Sequence, residues 1–222
     1  MYRDQGYLPE ALINYLALLG WSPGGDVEFF SKEQMAQSFS LERVNPNPAR
    51  FDVKKCTAIN GDWIRHLASD DLVERLVPYL QRDGVIGSTP SAEDMNLVRA
   101  VVPLISERLE TLGQASAIVG FLFTDDITID AGDAEKIMGD QAGDVLQAAE
   151  AALAGLDEWT TEAIEGALRA ALIDERGLKP KVAFGPVRLA ITGRRVSPPL
   201  FESMELLGAD RSLDRIRSLH AS

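Results

Sequence analysis

Apolar side chains recur at three- and four-residue spacing along most of this chain, and the polar residues between them punctuate helices. Leu8, Ala11, Leu12, Tyr15, Leu16 and Leu19 form one such stripe, with Pro9 pre-set for a first helical turn and Gly20 placed to end it in the left-handed conformation. Ser31 and Gln34 make a capping box, Phe30 is placed to staple onto Met35, and the helix they open should end near Phe39. Asn45-Pro46-Asn47-Pro48 cannot continue a helix, so residues 43–50 read as a loop, and the spacing of Phe51, Ile59, Trp63 and Ile64 predicts one or two helices as far as His66. Ser69 should cap a helix carrying Leu72, Val73, Leu76, Val77 and Leu80 up to Gly84, with 84–90 a linker. A second capping box, Ser91 with Asp94, opens a long pattern that runs to Leu112 with a kink at Pro103. Residues 141–155 are alanine-rich and strongly helix-forming, and Thr160 caps the next helix, with Trp159 over Ile164 and Gly177 as its stop. Ser197 with Pro198 starts another that stops at Gly208, and Asp210 caps a last one through Leu213, Ile216 and Leu219. Strand-like alternation is scarce and there is no internal repeat, so the fold class is mainly α.

Composition narrows the chemistry. At 222 residues and 45% hydrophobic content the chain can bury a core in one or two domains. One cysteine, Cys56, excludes an internal disulfide and a cysteine zinc site, and two histidines, His66 and His220, argue against a metal cluster. No apolar run approaches the roughly 20 residues a membrane helix needs, and Met-Tyr-Arg-Asp-Gln-Gly has no signal-peptide h-region; the expectation is a soluble, cytoplasmic protein without a membrane partner. No GxGxxG, P-loop or GxSxG is present, and the histidine and cysteine content does not suit a triad or a metal hydrolase.

The net charge of −12 has the wrong sign for a polyanion partner, but its distribution is uneven. Residues 67–178 hold 7 basic and 22 acidic side chains, whereas 179–222 hold 8 basic and 4 acidic. Screening beyond roughly 8 Å at physiological salt lets a local basic face engage phosphates while the acidic remainder limits non-specific binding.

Within that basic end the chain reads Phe184-Gly-Pro-Val-Arg-Leu-Ala-Ile-Thr-Gly-Arg-Arg-Val-Ser-Pro-Pro-Leu-Phe-Glu-Ser-Met-Glu-Leu-Leu-Gly208. This run resembles the anticodon-binding end of bacterial glutamyl-tRNA synthetases. Further landmarks follow the family's order: Tyr7 to Ser22, Phe51-Asp52, Asn60-Gly61, Trp63-Ile64-Arg65, Phe121 to Asp126 and Glu158-Trp159-Thr160. Cys56, Thr57 and Ala58 depart from it, standing where the family usually has bulkier residues. The resemblance implies a helical stem-contact region over 1–67, then a two-part α-helical anticodon-binding domain, a helical cage, over 68–132 and 133–222. Neither HIGH nor KMSKS, the two class I signatures, occurs here. The expectation is therefore the C-terminal part of an ATP-dependent glutamate–tRNA ligase, inactive alone. ATP and Mg²⁺ would belong to the missing catalytic domain, with no cofactor on this part. The implied partner is glutamate tRNA, not DNA, and the protein a monomer.

By the same resemblance Arg188 aligns with an anticodon-contacting arginine, and Ser197, Pro198 and Leu200 lie where another base is held. Arg108 aligns with the arginine that recognises the third anticodon base, C in glutamate tRNA and G in glutamine tRNA. Guanidinium donors suit the O2 and N3 acceptors of cytosine and oppose the N1 and N2 donors of guanine. Each residue also has a plain reading. Arg108 can pair with Glu107 or Glu110, Ser197-Pro198 can be an ordinary helix start, and Arg194 and Arg195 can be phosphate contacts or solvated charges. Trp21, Trp63 and Trp159 read as core or staple residues, and Asp125-Asp126 as a turn. Two rival readings are a non-enzymatic acidic helical adaptor and an RNA-binding paralogue of the synthetase.

Overall fold

The computed structural model describes residues 1–46 and 49–220. Thirteen α-helices, with short 3₁₀ turns and no strand, make up the regular structure of the described residues: α1 (Tyr2–Gln5), α2 (Pro9–Leu18), α3 (Lys32–Ser38), α4 (Val53–Arg65), α5 (Ser69–Arg82), α6 (Ala92–Ile105), α7 (Ala115–Val119), α8 (Ala131–Ile137), α9 (Ala142–Ala154), α10 (Thr161–Arg169), α11 (Pro180–Thr192), α12 (Leu200–Leu207) and α13 (Ala209–His220). The mainly α reading holds. The chain divides into two compact units, Met1–Pro90 with Ile105–Ala117, and Ser91–Leu104 with Ile118–Ser222.

In the first unit α2 lies on α4, and Tyr7, Tyr15, Cys56 and Ile59 form a core flanked by Leu12, Leu18 and Trp63. Of the departing residues at 56–58, only Cys56 is buried in this core, whereas Thr57 is half-buried and Ala58 exposed. Two buried amides tie loops to this pair. Asn60 accepts from the Leu8 amide at 2.7 Å and donates to the Glu110 carbonyl at 2.6 Å. Asn14 donates to the Glu28 carbonyl at 2.9 Å and accepts from the Trp63 indole at 3.0 Å. Gly6 and Gly113 are required where the 109–114 segment crosses α1. The Leu112 amide donates to the Gly6 carbonyl at 3.0 Å, and a Cβ on Gly6, whose φ is +89°, would lie 2.3 Å from the Gly113 nitrogen. Arg75 of α5 reaches Glu10 of α2 with both terminal nitrogens, at 3.2 and 3.0 Å, and Asp71 at 2.8 Å. Burial works against the Glu10 charge, but this guanidinium prevails and holds the carboxyl below its ordinary value.

In the second unit α9, α11 and α13 pack on one another, and α10 packs on α12. Ala142, Ala148 and Ala149 put a small-residue face on α9 that permits this close packing, around Val145, Leu146, Leu153, Val187, Ala190, Ile191 and Ile216. The α10 helix does not simply end. It passes into a π turn, Ala170–Asp174, that buries Leu172, and stops where Gly177 takes φ +67°.

Several boundaries differ from the sequence reading. Pro9 does open α2 and the Ser31–Gln34 box does open α3, which ends at Phe39. Gly20 is not left-handed; Leu19 ends α2 in right-handed geometry, and the amides of Gly20 and Trp21 both donate to the Ala17 carbonyl. Ser69 is the first residue inside α5, with Ala68 at the cap. The pattern from Ser91 breaks at Ile105 rather than reaching Leu112, because a 3₁₀ turn over Ser106–Arg108 and a new start at Thr111–Gln114 let Glu110 and Leu112 bond to Asn60 and Gly6. Asp210 lies within the first turn of α13, after Gly208, instead of capping it. Of the expected 43–50 loop, Asn47 and Pro48 lie outside the described residues.

Candidate nucleic-acid interface

The basic end folds around α11. Pro180 opens this helix, Pro186 sits inside it, and Gly193 ends it with φ +72°. An interior proline costs a helix about 3 kcal/mol. Here burial of Ala183, Pro186, Val187, Leu189, Ala190 and Ile191 outweighs that cost, so a segment whose Gly185-Pro186 pair hides its helical character in sequence is helical.

Arg188 is half-buried on α11 and turns toward the chain that follows. Its Nη1 donates to the Ser197 hydroxyl and, at 2.8 Å, to the Pro198 carbonyl. Thr192 folds the turn between them, its single O–H shared between the carbonyls of Arg188 at 2.9 Å and Arg194 at 3.0 Å. Three of the sequence-predicted residues, Arg188, Ser197 and Pro198, are thus one hydrogen-bonded group, and Leu200 follows as the first residue of α12. Ser197 does not cap that helix. The cap position is Pro199, and since Pro198 and Pro199 carry no N–H, the amides offered at this end are those of Leu200, Phe201 and Glu202. Pro198 and Leu200 are buried, whereas Ser197 and Pro199 are half-buried and Val196 is 74% exposed.

Arg194 and Arg195 are exposed and face carboxylates at the start of α8. Arg194 lies 3.4 Å from Asp130 and Arg195 3.5 Å from Asp133, whose carboxylate also accepts from the Arg195 amide at 2.8 Å. Asp130 caps α8 through the Asp133 amide. Sequence reading missed this helix and its two acids; the signal was Asp130 three residues before Asp133, ahead of a short helical stretch. Arg108 belongs to the first unit, where it is exposed at the end of the 3₁₀ turn Ser106–Arg108. Trp21 is buried against Phe30, whereas Trp63 and Trp159 are half-buried, with the Trp159 indole donating to the Met204 carbonyl at 2.8 Å. Among the described residues no group of three or more histidine, cysteine, aspartate or glutamate side chains is placed to hold a metal ion, and no helix is long and apolar enough to cross a membrane.

Residues 71–219 match the family model described as an anticodon binding domain, and this span contains α11, α12 and the turn between them. The chain belongs to the anticodon-binding-domain family. Ahead of the anticodon-binding domain, residues 1–58 match the class I tRNA synthetase (E and Q) catalytic-domain model, though this stretch carries neither signature motif. The chain is 53% identical over 218 residues to a glutamate–tRNA ligase of Saccharopolyspora erythraea, covering 98% of this chain and 43% of that protein. It is 51% identical over 219 residues to a glutamate–tRNA ligase of Nocardioides sp., covering 98% and 45%. It thus spans less than half the length of these relatives. A crystal structure of a glutamate tRNA ligase from Elizabethkingia meningosepticum in complex with its amino acid superposes over 100% of the chain and 42% of its own, with a TM-score of 0.85 at 24% identity, a likeness of fold. A glutamate–tRNA synthetase from Elizabethkingia anophelis gives a TM-score of 0.82 at 25% identity.

Proposed function

We propose that this chain is the tRNA-selecting part of a glutamate–tRNA ligase. In the intact enzyme it would read the anticodon and hold the stem, while a catalytic half using ATP and Mg²⁺ attaches glutamate in the cytoplasm. Alone it would bind tRNA without charging it. The arginine-centred turn between α11 and α12, inside the anticodon-binding-domain match, is the observation that carries this reading. Residues 1–67 are the proposed stem-contact region, with anticodon-binding parts over 68–132 and 133–222.

The chemistry is that of single-stranded RNA, whose unstacked bases offer both faces and Watson–Crick edges. Arg188 fixes Ser197 and Pro198 before RNA arrives, so little ordering entropy is lost on binding. Buried Pro198 and Leu200 form a fixed base beneath the turn, exposed Val196 supplies apolar cover for a base face, and the amides at the start of α12 suit RNA oxygens. Arg194 and Arg195 exchange carboxylates for phosphates. Arg108 probes the third anticodon base and favours C.

The test is filter binding of glutamate tRNA transcripts carrying C or G as the third anticodon base, at two salt concentrations. Preference for C on the order of 1–3 kcal/mol, weakened by Arg108→Gln, is expected. Equal binding of both transcripts would remove Arg108 from the reading, and no binding at low salt would favour a protein-binding adaptor.

A further inference from the structure

Arg215 of α13 is 6% exposed, yet its described partners include no carboxylate within ion-pair distance. Its guanidinium is spent on backbone carbonyls instead: Nη1 donates to Ile191 at 2.6 Å, and Nη2 donates to Phe121 at 2.8 Å and to Thr124. Arg211, one turn earlier, donates to the carbonyls of Leu122 and Thr124. Burial, together with the like charge of Arg211, pushes Arg215 down to about 10, so it remains a cation at neutral pH. Asp125 and Asp126 act on it only from beyond ion-pair distance, a burial that is costly for a charge, and apolar side chains fill such places well. The geometry assigns a different use.

Ile191 lies in the last turn of α11, the helix that carries Arg188, and its carbonyl is among those a helix leaves without an internal partner. Gly193 follows, pressed so closely on the 128–130 segment that a Cβ there would lie 2.4 Å from the Thr128 oxygen, and its carbonyl accepts from the Asp130 amide at 2.9 Å. The 121–124 segment leads directly into 128–130. Arg215 therefore closes a ring: its guanidinium joins Phe121 and Thr124 to Ile191, the chain runs on to Thr128 and Asp130, and these return to Gly193. The base-holding turn 193–199 hangs between this ring and Arg188.

We infer that Arg215 is a positioning residue for base recognition, fixing the end of α11 so that the Arg188–Ser197–Pro198 group is pre-formed. This rests on the proposed anticodon function. Lysine in its place keeps the charge but cannot span three carbonyls from two sides, because it presents one nitrogen on a flexible stem.

The test measures binding of glutamate tRNA transcripts altered at each anticodon position in turn, to the wild-type chain and to Arg188→Ala, Arg108→Gln and Arg215→Lys. Arg188→Ala identifies the position read at the α11–α12 turn. Arg215→Lys is expected to melt cooperatively, to lose about tenfold of the preference at that same position, and to keep the preference that depends on Arg108. Amide exchange should quicken at 193–197 and stay unchanged across Val145–Leu153 of α9. A wild-type binding profile, or an equal fractional loss at every position, overturns the proposal. An Arg188→Ala chain with a wild-type profile overturns it as well, and shows that the site reading failed rather than the role of Arg215. Where Arg215→Lys gives no cooperative melt, Arg211→Lys, which loosens the shared Thr124 carbonyl from a half-buried position, should show the same selective loss in smaller size; no loss there overturns the proposal.

Discussion

In the proposed function Arg188 combines two duties, holding the turn that follows α11 and contacting a base. Its Nη1 is committed to Ser197 and Pro198, and in that proposed function the same planar guanidinium meets a base edge. Removing it by Arg188→Ala takes away a contact and also frees the turn that follows. The expected loss of anticodon stem-loop affinity is therefore at the upper end of the roughly 1–3 kcal/mol for a single base-edge pair. Arg188→Lys should recover little, since one ammonium cannot bond a hydroxyl and a carbonyl and also present a flat donor pair. Titration calorimetry on both variants checks this, and near-full recovery by lysine would reduce Arg188 to a point charge. Sequence could propose Arg188, Ser197 and Pro198 only as residues near one another along the chain. That one guanidinium joins them depends on Thr192 and Gly193 turning the backbone, and in sequence this pair reads only as a break in the apolar segment, not as a hydroxyl bonding both sides of a turn.

Elements were legible where caps are local and illegible where tertiary bonds decide. The Ser31–Gln34 and Ser91–Asp94 boxes lie within four residues of chain and appear as read. The end of α6 is set by Asn60 and Gly6, about fifty and a hundred residues away, and nothing near Ile105 announces it. The Glu10–Arg75–Asp71 group, which pins α5 to α2, was equally hidden because its partners are far apart in sequence. It has a measurable pH signature. The Glu10 carboxyl is held below its ordinary 4.5 in the folded chain, so folding favours the ionised form. That contribution is fully present above about pH 4.5 and is lost as pH falls through the lower folded value. Thermal melts of the wild-type chain should therefore show a stability decrement on acidification below pH 4.5 that is smaller in Glu10→Gln, whose neutral amide cannot gain or lose it. Parallel pH profiles would mean that the pair adds nothing beyond solvent screening, as many half-exposed pairs do.

At the scale of the whole molecule, the proposed function requires a chain of net charge −12 to bind a polyanion. The salt dependence of binding counts the phosphates neutralised at the contact, at about 0.7 counterions each for single strands, and is indifferent to total charge beyond a Debye length. The relevant cations are those on the surface of the basic end. Lys179, Lys181, Arg194 and Arg195 are exposed there, whereas Arg215 is buried in carbonyls and Arg217 is held by Glu150 and Asp214. Two of the four already have carboxylate partners, and exchanging Asp130 or Asp133 for a phosphate still releases an RNA counterion. Two to four phosphate contacts give a log–log slope of about −1.5 to −3 for an anticodon stem-loop. If net charge governed the encounter, affinity would instead rise with salt as repulsion was screened. Fluorescence anisotropy between low and physiological salt separates the two by the sign of the slope. A negative slope that Arg194→Gln and Arg195→Gln each make shallower by about 0.7 would place the contact on the turn that Arg188 organises, whereas a slope those changes leave untouched would move the phosphate path to other cations.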